Sequence, residues 1–374
     1  VVFFETEIDP KPPTPPALII TIPRGGRAGT FRSPDALRIG IVGGKGAGKS
    51  YLFQSLVYRV SDLERRGCLA PFLRRSRPSV LTARSQSDEA EDLIVDDLLK
   101  LYAEWRTLPQ TTFDDQCWYK LRFEINTGWF GQRGTPVDID FFDASGEALA
   151  FRQARGMDGL DNDNDTHRIM EGVYESYAQA TVMVFCLPAW AALPARGLTN
   201  EERDRRKVYL DHYNRVVHYY IDTRKRLNLR HPVRTILALT MADDPRADLE
   251  TLRLPWLSPF LDRQTAWRYH ARLEKAGHIA QYLDNARKVS QYLRERMRQT
   301  DDKAVRNAPG ELDFGAGEPW IVALSAIDGQ RLARADKAHD EHDLATLDEL
   351  GTPHPAHVEL PLLMALSERY NALM

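Results

Sequence analysis

The sequence predicts an α/β fold in which a mostly parallel sheet, with one antiparallel strand, carries helices on both faces. Three observations predict it. Short apolar runs alternate with segments of helical periodicity from Leu37 to Leu324. Ala180–Leu187 is an apolar run that reads as a strand buried on both faces, and Val233–Thr240 reads as another buried strand. A glycine-rich segment, Gly43-Gly44-Lys45-Gly46-Ala47-Gly48-Lys49-Ser50, joins the first core run to the first helical pattern.

Residues 1–36 read as a proline-rich arm, with Pro10, Pro12, Pro13, Pro15 and Pro16 ahead of a short added strand at Leu18–Ile22. The core, 37–330, opens with the strand Leu37–Val42. After the glycine-rich segment, Tyr51, Leu52, Ser55, Leu56 and Val60 recur at helical spacing. Residues 66–84 are basic and irregular, and 86–106 form an amphipathic helical pattern. Leu121, Phe123 and Ile125 alternate with charges in Trp118–Ile125, and Val137, Ile139 and Phe141 do so in Val137–Asp143. The glycine-rich link Gly128–Pro136 makes a hairpin the simplest connection between those two strands. Beyond Ala180–Leu187 come a long helix at 200–229, the strand Val233–Thr240, a helical insertion at about 250–310 and the strand Trp320–Leu324. Residues 331–374 hold a polar segment and a last helix near Leu360–Met374.

The chain has 374 residues, 43% of them hydrophobic and 28% charged, with a net charge of −3, as in an ordinary globular protein. That balance leaves no electrostatic footprint for nucleic acid and no polybasic membrane patch. No apolar stretch approaches the roughly 20 residues a membrane span needs. Three widely spaced cysteines, Cys68, Cys117 and Cys186, form neither a disulfide framework nor a zinc pattern, and they fit a cytoplasmic protein. Val1 in place of an initiator methionine implies a start that was processed or cut from a longer chain.

Gly43–Ser50 is a Walker A pattern set between a strand and a helix, where its chemistry requires it. Its glycines let successive backbone N–H groups turn inward and cradle a polyphosphate. Lys49 supplies a point charge for the β- and γ-phosphates, and the Ser50 hydroxyl is suited to Mg²⁺. The helix through Lys49, Ser50 and Tyr51 adds the positive end of its dipole. At the end of the Val137 strand, Asp143-Ala144-Ser145-Gly146-Glu147 supplies an acid for Mg²⁺ and a glycine N–H for the γ-phosphate.

Thr240-Met241-Ala242-Asp243 ends the next strand but one. Together with the two motifs before it, this segment resembles the P-loop GTPase superfamily, whose guanine-reading motif is Asn or Thr, Lys, any residue, Asp. The resemblance implies that Asp243 reads the N1–H and N2 of guanine and that Thr240 braces the loop. Met241 departs from the family's lysine, and an N-cap role for Asp243 or Asp244 is the competing reading. Ser325-Ala326, after the last strand, is similar to the family's element touching guanine O6. The hairpin beside the Asp143 strand resembles the translation-factor-related class, and the Asp-x-x-Gly-Glu wording resembles bacterial YcjX-like and double-GTPase groups.

The family closes a threonine over Mg²⁺ from the loop before the hairpin; of Thr111 and Thr112, Thr112 is the expected residue. Glu147 stands where the family often has a glutamine orienting water. Its carboxylate would add like-charge repulsion, so hydrolysis is expected to be slow without a partner or self-association through the switch segments and the helical insertion. The acidic run Asp158–Asp165 departs from a calcium loop at Thr166 and Gly172. The expectation is a Mg²⁺-dependent protein binding GTP and GDP as a switch or assembly factor. A P-loop ATPase and a non-catalytic nucleotide-stabilised module are the alternatives.

Overall fold

A computed structural model describes residues 19–21, 37–44, 46–53, 55–56, 117–125, 135–143, 174–175, 177–178, 180–249, 278–326 and 357–369. Its strands are β1 (Ile19–Thr21), β2 (Leu37–Gly43), β3 (Cys117–Ile125), β4 (Thr135–Asp143), β5 (Val182–Pro188), β6 (Arg234–Thr240) and β7 (Trp320–Ala323). They form one sheet in the order β1-β3-β4-β2-β5-β6-β7.

The centre of the sheet is parallel, and the sequence explains why. Every residue of β5 is buried, and so is every residue of β6 except Arg234. A strand buried at each position has cover on both faces, which is how helices clothe a parallel sheet. The register runs Ile41 beside Val184, Phe185 beside Leu237 and Leu237 beside Ile321. The carboxyl ends of β2, β5, β6 and β7 therefore lie along one edge. β4 pairs in parallel with β2, with Gly40 opposite Phe142, so its last residue, Asp143, reaches that edge too.

Among the described residues, six helical segments accompany the strands, besides the helical residues 174–175 and 177–178. The first, α1, holds the helical residues 49–53 and 55–56. The others are α2 (Ala189–Ala192), α3 (Asn200–Arg226), α4 (His278–Arg298), α5 (Lys303–Glu311) and α6 (Leu360–Arg369). α3 starts at a capping box: the Thr199 hydroxyl accepts from Glu202 N at 3.2 Å, and the Glu202 carboxylate accepts from Thr199 N at 2.8 Å. Its far end is tied down by Arg224, whose guanidinium donates to the backbone oxygens of Ala178, Leu229 and His231. One face of α3, through Leu210, Tyr213, Val216, Val217 and Tyr220, enters the core. Burial pushes the Tyr220 hydroxyl up to about 12.

α4 buries Leu283, Ala286, Ser290, Leu293 and Met297, the stripe expected of a helix lying on a sheet. It packs against β7, the edge strand, and meets that strand's unpaired backbone directly. The Ser290 hydroxyl accepts from Ile321 N at 2.8 Å, a bond that no further strand among the described residues supplies. The Thr235 hydroxyl donates to Leu312 O at 2.6 Å and joins β6 to the end of α5. Among the described residues no helix is long and apolar enough to cross a membrane.

Candidate functional site

The segment Gly43–Ser50 leaves β2 at the carboxyl edge and enters α1 at Lys49. Gly46 and Gly48 stand at φ +73° and +80°, left-handed values that a side chain would strain. Lys49 is only 7% exposed, and its ammonium donates to Gly43 O at 2.8 Å and Gly44 O at 3.0 Å. The lysine thus folds back over the turn that precedes it, and its charge is held at the inner edge of the loop. Ser50 and Tyr51 follow on α1, both half-buried.

β6 braces this loop from the side. The Thr240 hydroxyl donates to Ala47 O at 2.8 Å, with both residues buried. The next residue, Met241, takes φ +53°, uncommon without glycine. Its methyl carbon lies 3.6 Å from where a Cβ on Gly48 would stand. Met241 is therefore turned toward the glycine-rich loop. Asp243 follows, half-buried in the turn after β6.

The neighbour of Asp243, Asp244, closes a local turn, and residues 245–249 that follow are not helical, so this bond is no helix N-cap. Asp244 accepts from Arg246 N at 2.9 Å and binds the Arg246 guanidinium through both oxygens, at 2.9 and 2.6 Å. β7 closes the same edge. Leu324 N donates to Leu239 O at 3.0 Å and Ala242 N to Leu324 O at 3.1 Å, which seats the Thr240–Asp243 turn beside Ser325 and Ala326. Ser325 is buried and Ala326 packs against the core.

Side chains without a recognisable motif also line this edge. Tyr209 and His212, one turn apart on α3, lie on the loop glycines. A Cβ on Gly46 would stand 2.7 Å from the Tyr209 hydroxyl, and one on Gly44 would stand 2.7 Å from His212 Cβ. The Tyr209 ring meets Trp190 edge to face at 5.4 Å between centroids. Arg246 lies over the Trp190 ring at 4.4 Å, and the same guanidinium grips Asp244. A continuous stack thus joins Gly46 to the turn bearing Asp243. The expectation for 200–229 was a helix alone; which of its residues would meet the loop depends on the crossing of α3 over β2, and local spacing carries no trace of that.

The remaining expected residues divide in two. The backbone of Asp143 is described at the end of β4, next to β2. Lys45, Thr112, Gly146 and Glu147 lie outside the described residues, as does the run Asp158–Asp165. For Mg²⁺ the chemistry available is oxygen from Ser50 and, at the neighbouring strand end, from Asp143, the hard donors this ion prefers. Among the described residues no cluster of three or more His, Cys, Asp or Glu could hold a metal. No protein-family model matches the chain, and no curated protein matches its sequence.

Proposed function

We propose that the chain is a GTP- and GDP-binding protein of the P-loop NTPase class that hydrolyses GTP slowly and uses bound nucleotide as a switch. The observation that carries this reading is the Lys49 ammonium, buried and bonded to Gly43 O and Gly44 O at the start of a helix. A polyphosphate is the ligand that such a loop accommodates through backbone N–H groups and one cation. The Thr240 bond to Ala47 O and the turn through Asp243 to Ser325 support a purine site beside the phosphates. Asp243 would accept from N1–H and N2 of guanine, which adenine does not offer. The register of β3 against β4, with Cys117 opposite Asp143 and Ile125 opposite Thr135, supports the single antiparallel strand of that fold.

Within this reading Ser50 and Asp143 hold Mg²⁺, with Thr112 joining when GTP is bound. Gly146 senses the γ-phosphate, and Glu147 replaces the water-orienting glutamine. When bound, the metal would neutralise charge on the β- and γ-oxygens. Partners would engage the segments that respond to nucleotide, in a cytoplasmic setting. The test is competition of ATP and GTP for a fluorescent guanine nucleotide on the purified chain, followed by turnover of the preferred one. Preference for GTP with slow turnover supports the reading. Preference for ATP makes the chain an ATPase, and turnover at background makes it a nucleotide-stabilised interaction module.

A further inference from the structure

His212 lies against the phosphate loop, in a position that no motif predicts. Were Gly44 to carry a Cβ, that atom would stand 2.7 Å from His212 Cβ and 3.3 Å from its Nδ1. Nδ1 is buried from solvent and has no hydrogen-bond partner among the described residues. The loop's own cation is close by: Lys49 donates to the carbonyl of Gly44, the residue on which the imidazole rests. A ring nitrogen enclosed without a partner carries a desolvation cost in either protonation state, and the cost is far larger for the cation.

We propose that His212 is a phosphate-responsive residue of this loop, neutral when the loop is empty and protonated when a polyphosphate fills it, so that nucleotide binding takes up a proton. This rests on the nucleotide reading above and adds to it a dependence on pH.

The charges around the ring give the sign. Burial first, then the Arg215 guanidinium one turn along α3, hold the imidazole below the usual histidine range. The Lys49 ammonium adds to that from the loop, and only Asp211 opposes it. Tyr209, on the same face of α3, meets the loop one glycine further on. A bound polyphosphate introduces several negative charges beside Lys49 and reverses the balance that keeps the ring neutral. Protonation then becomes favourable in the complex at a pH where the free protein resists it. Affinity rises as the pH falls through the interval between the two values, about tenfold for each unit by which nucleotide raises the imidazole. In the free protein the sign for stability is opposite. The unfolded chain binds the proton more readily, so the histidine costs stability as the pH falls below its ordinary value.

The experiment follows the histidine resonances of the full chain, labelled at imidazole carbon, over a pH series with and without Mg²⁺·GDP. The chain has ten histidines, and His212 is assigned by the resonance lost in either His212→Asn or His212→Gln. The expected result is a His212 titration below the ordinary histidine range in the free protein, moving up by about one unit with GDP. Calorimetry should give a GDP affinity ratio between pH 6 and pH 8 about three- to fivefold smaller in His212→Asn than in the wild type. The nucleotide's own protonation is common to both proteins and cancels. GDP binding that leaves the His212 titration in place overturns this inference and leaves the nucleotide site standing. Absence of GDP binding to the wild-type chain at any pH overturns both.

Discussion

Replacing Thr240 by valine tests the joint between the phosphate loop and the strand that leads to Asp243. The side chain keeps its shape and loses one bond, from the Thr240 hydroxyl to Ala47 O at 2.8 Å, between residues each 2% exposed. A bond of this kind contributes about 1 kcal/mol net, and leaving the buried carbonyl without a donor brings the cost to about 1–3 kcal/mol. Geometry adds to it. A methyl carbon settles about 3.3 Å or more from an oxygen, roughly half an ångström beyond the distance the hydroxyl holds. The loop must therefore shift outward at Ala47, between two glycines already at left-handed φ. Thr240→Val should lower unfolding free energy by about 1–3 kcal/mol in a denaturant titration and also weaken nucleotide binding. Thr240→Ser, which keeps the hydroxyl, should retain most of the affinity. A valine variant as stable and as tight-binding as the wild type would refute the idea that β6 braces the loop.

Gly44→Ala places a Cβ 2.7 Å from His212 Cβ. It should cost about 1–3 kcal/mol in thermal or chemical unfolding, and less in a His212→Gly background, where the opposing Cβ is gone; strictly additive effects would argue against the contact. Asp243→Asn should weaken GTP and improve xanthosine triphosphate in competition binding, and an unchanged preference would remove Asp243 from the base site. Thr199→Ala opens the capping box of α3 and should cost about 1 kcal/mol of unfolding free energy, read from denaturant midpoints, with nucleotide affinity little changed.

What the sequence revealed divides along the range of the interactions involved. Gly43–Ser50 is legible because its proposed role, a phosphate cradle, needs particular residues at consecutive positions, and the left-handed Gly46 and Gly48 and the buried Lys49 are compatible with it. β5 and the centre of β6 are legible because strands buried on both faces favour apolar residues; β6 keeps the buried Thr235 and Thr240 because each hydroxyl donates to a backbone oxygen. The N-cap reading of Asp243 or Asp244 misses the partner that Asp244 takes, Arg246 two residues on, in a turn from which no helix starts through residue 249. The stack of Tyr209, Trp190 and Arg246 could not be read. Its members come from α3, α2 and the turn after β6, and only the packing of those elements brings them together. His212 belongs to no sequence motif, because its significance lies in Gly44, far away in sequence. β1 shows a related effect. Three residues, Ile19–Thr21, carry little periodicity, and their place at the sheet edge comes from pairing with Tyr119 and its neighbours in β3.

The central claim is that Lys49 and the loop around it bind a nucleotide polyphosphate, and one titration addresses it most directly. Mg²⁺ with a non-hydrolysable GTP analogue is titrated calorimetrically into the wild-type chain and into Lys49→Ala, with the folded state of both checked by thermal unfolding. The account predicts saturable binding by the wild type and none by the folded variant. Equal binding by the two proteins, or no binding by the wild type, would contradict it.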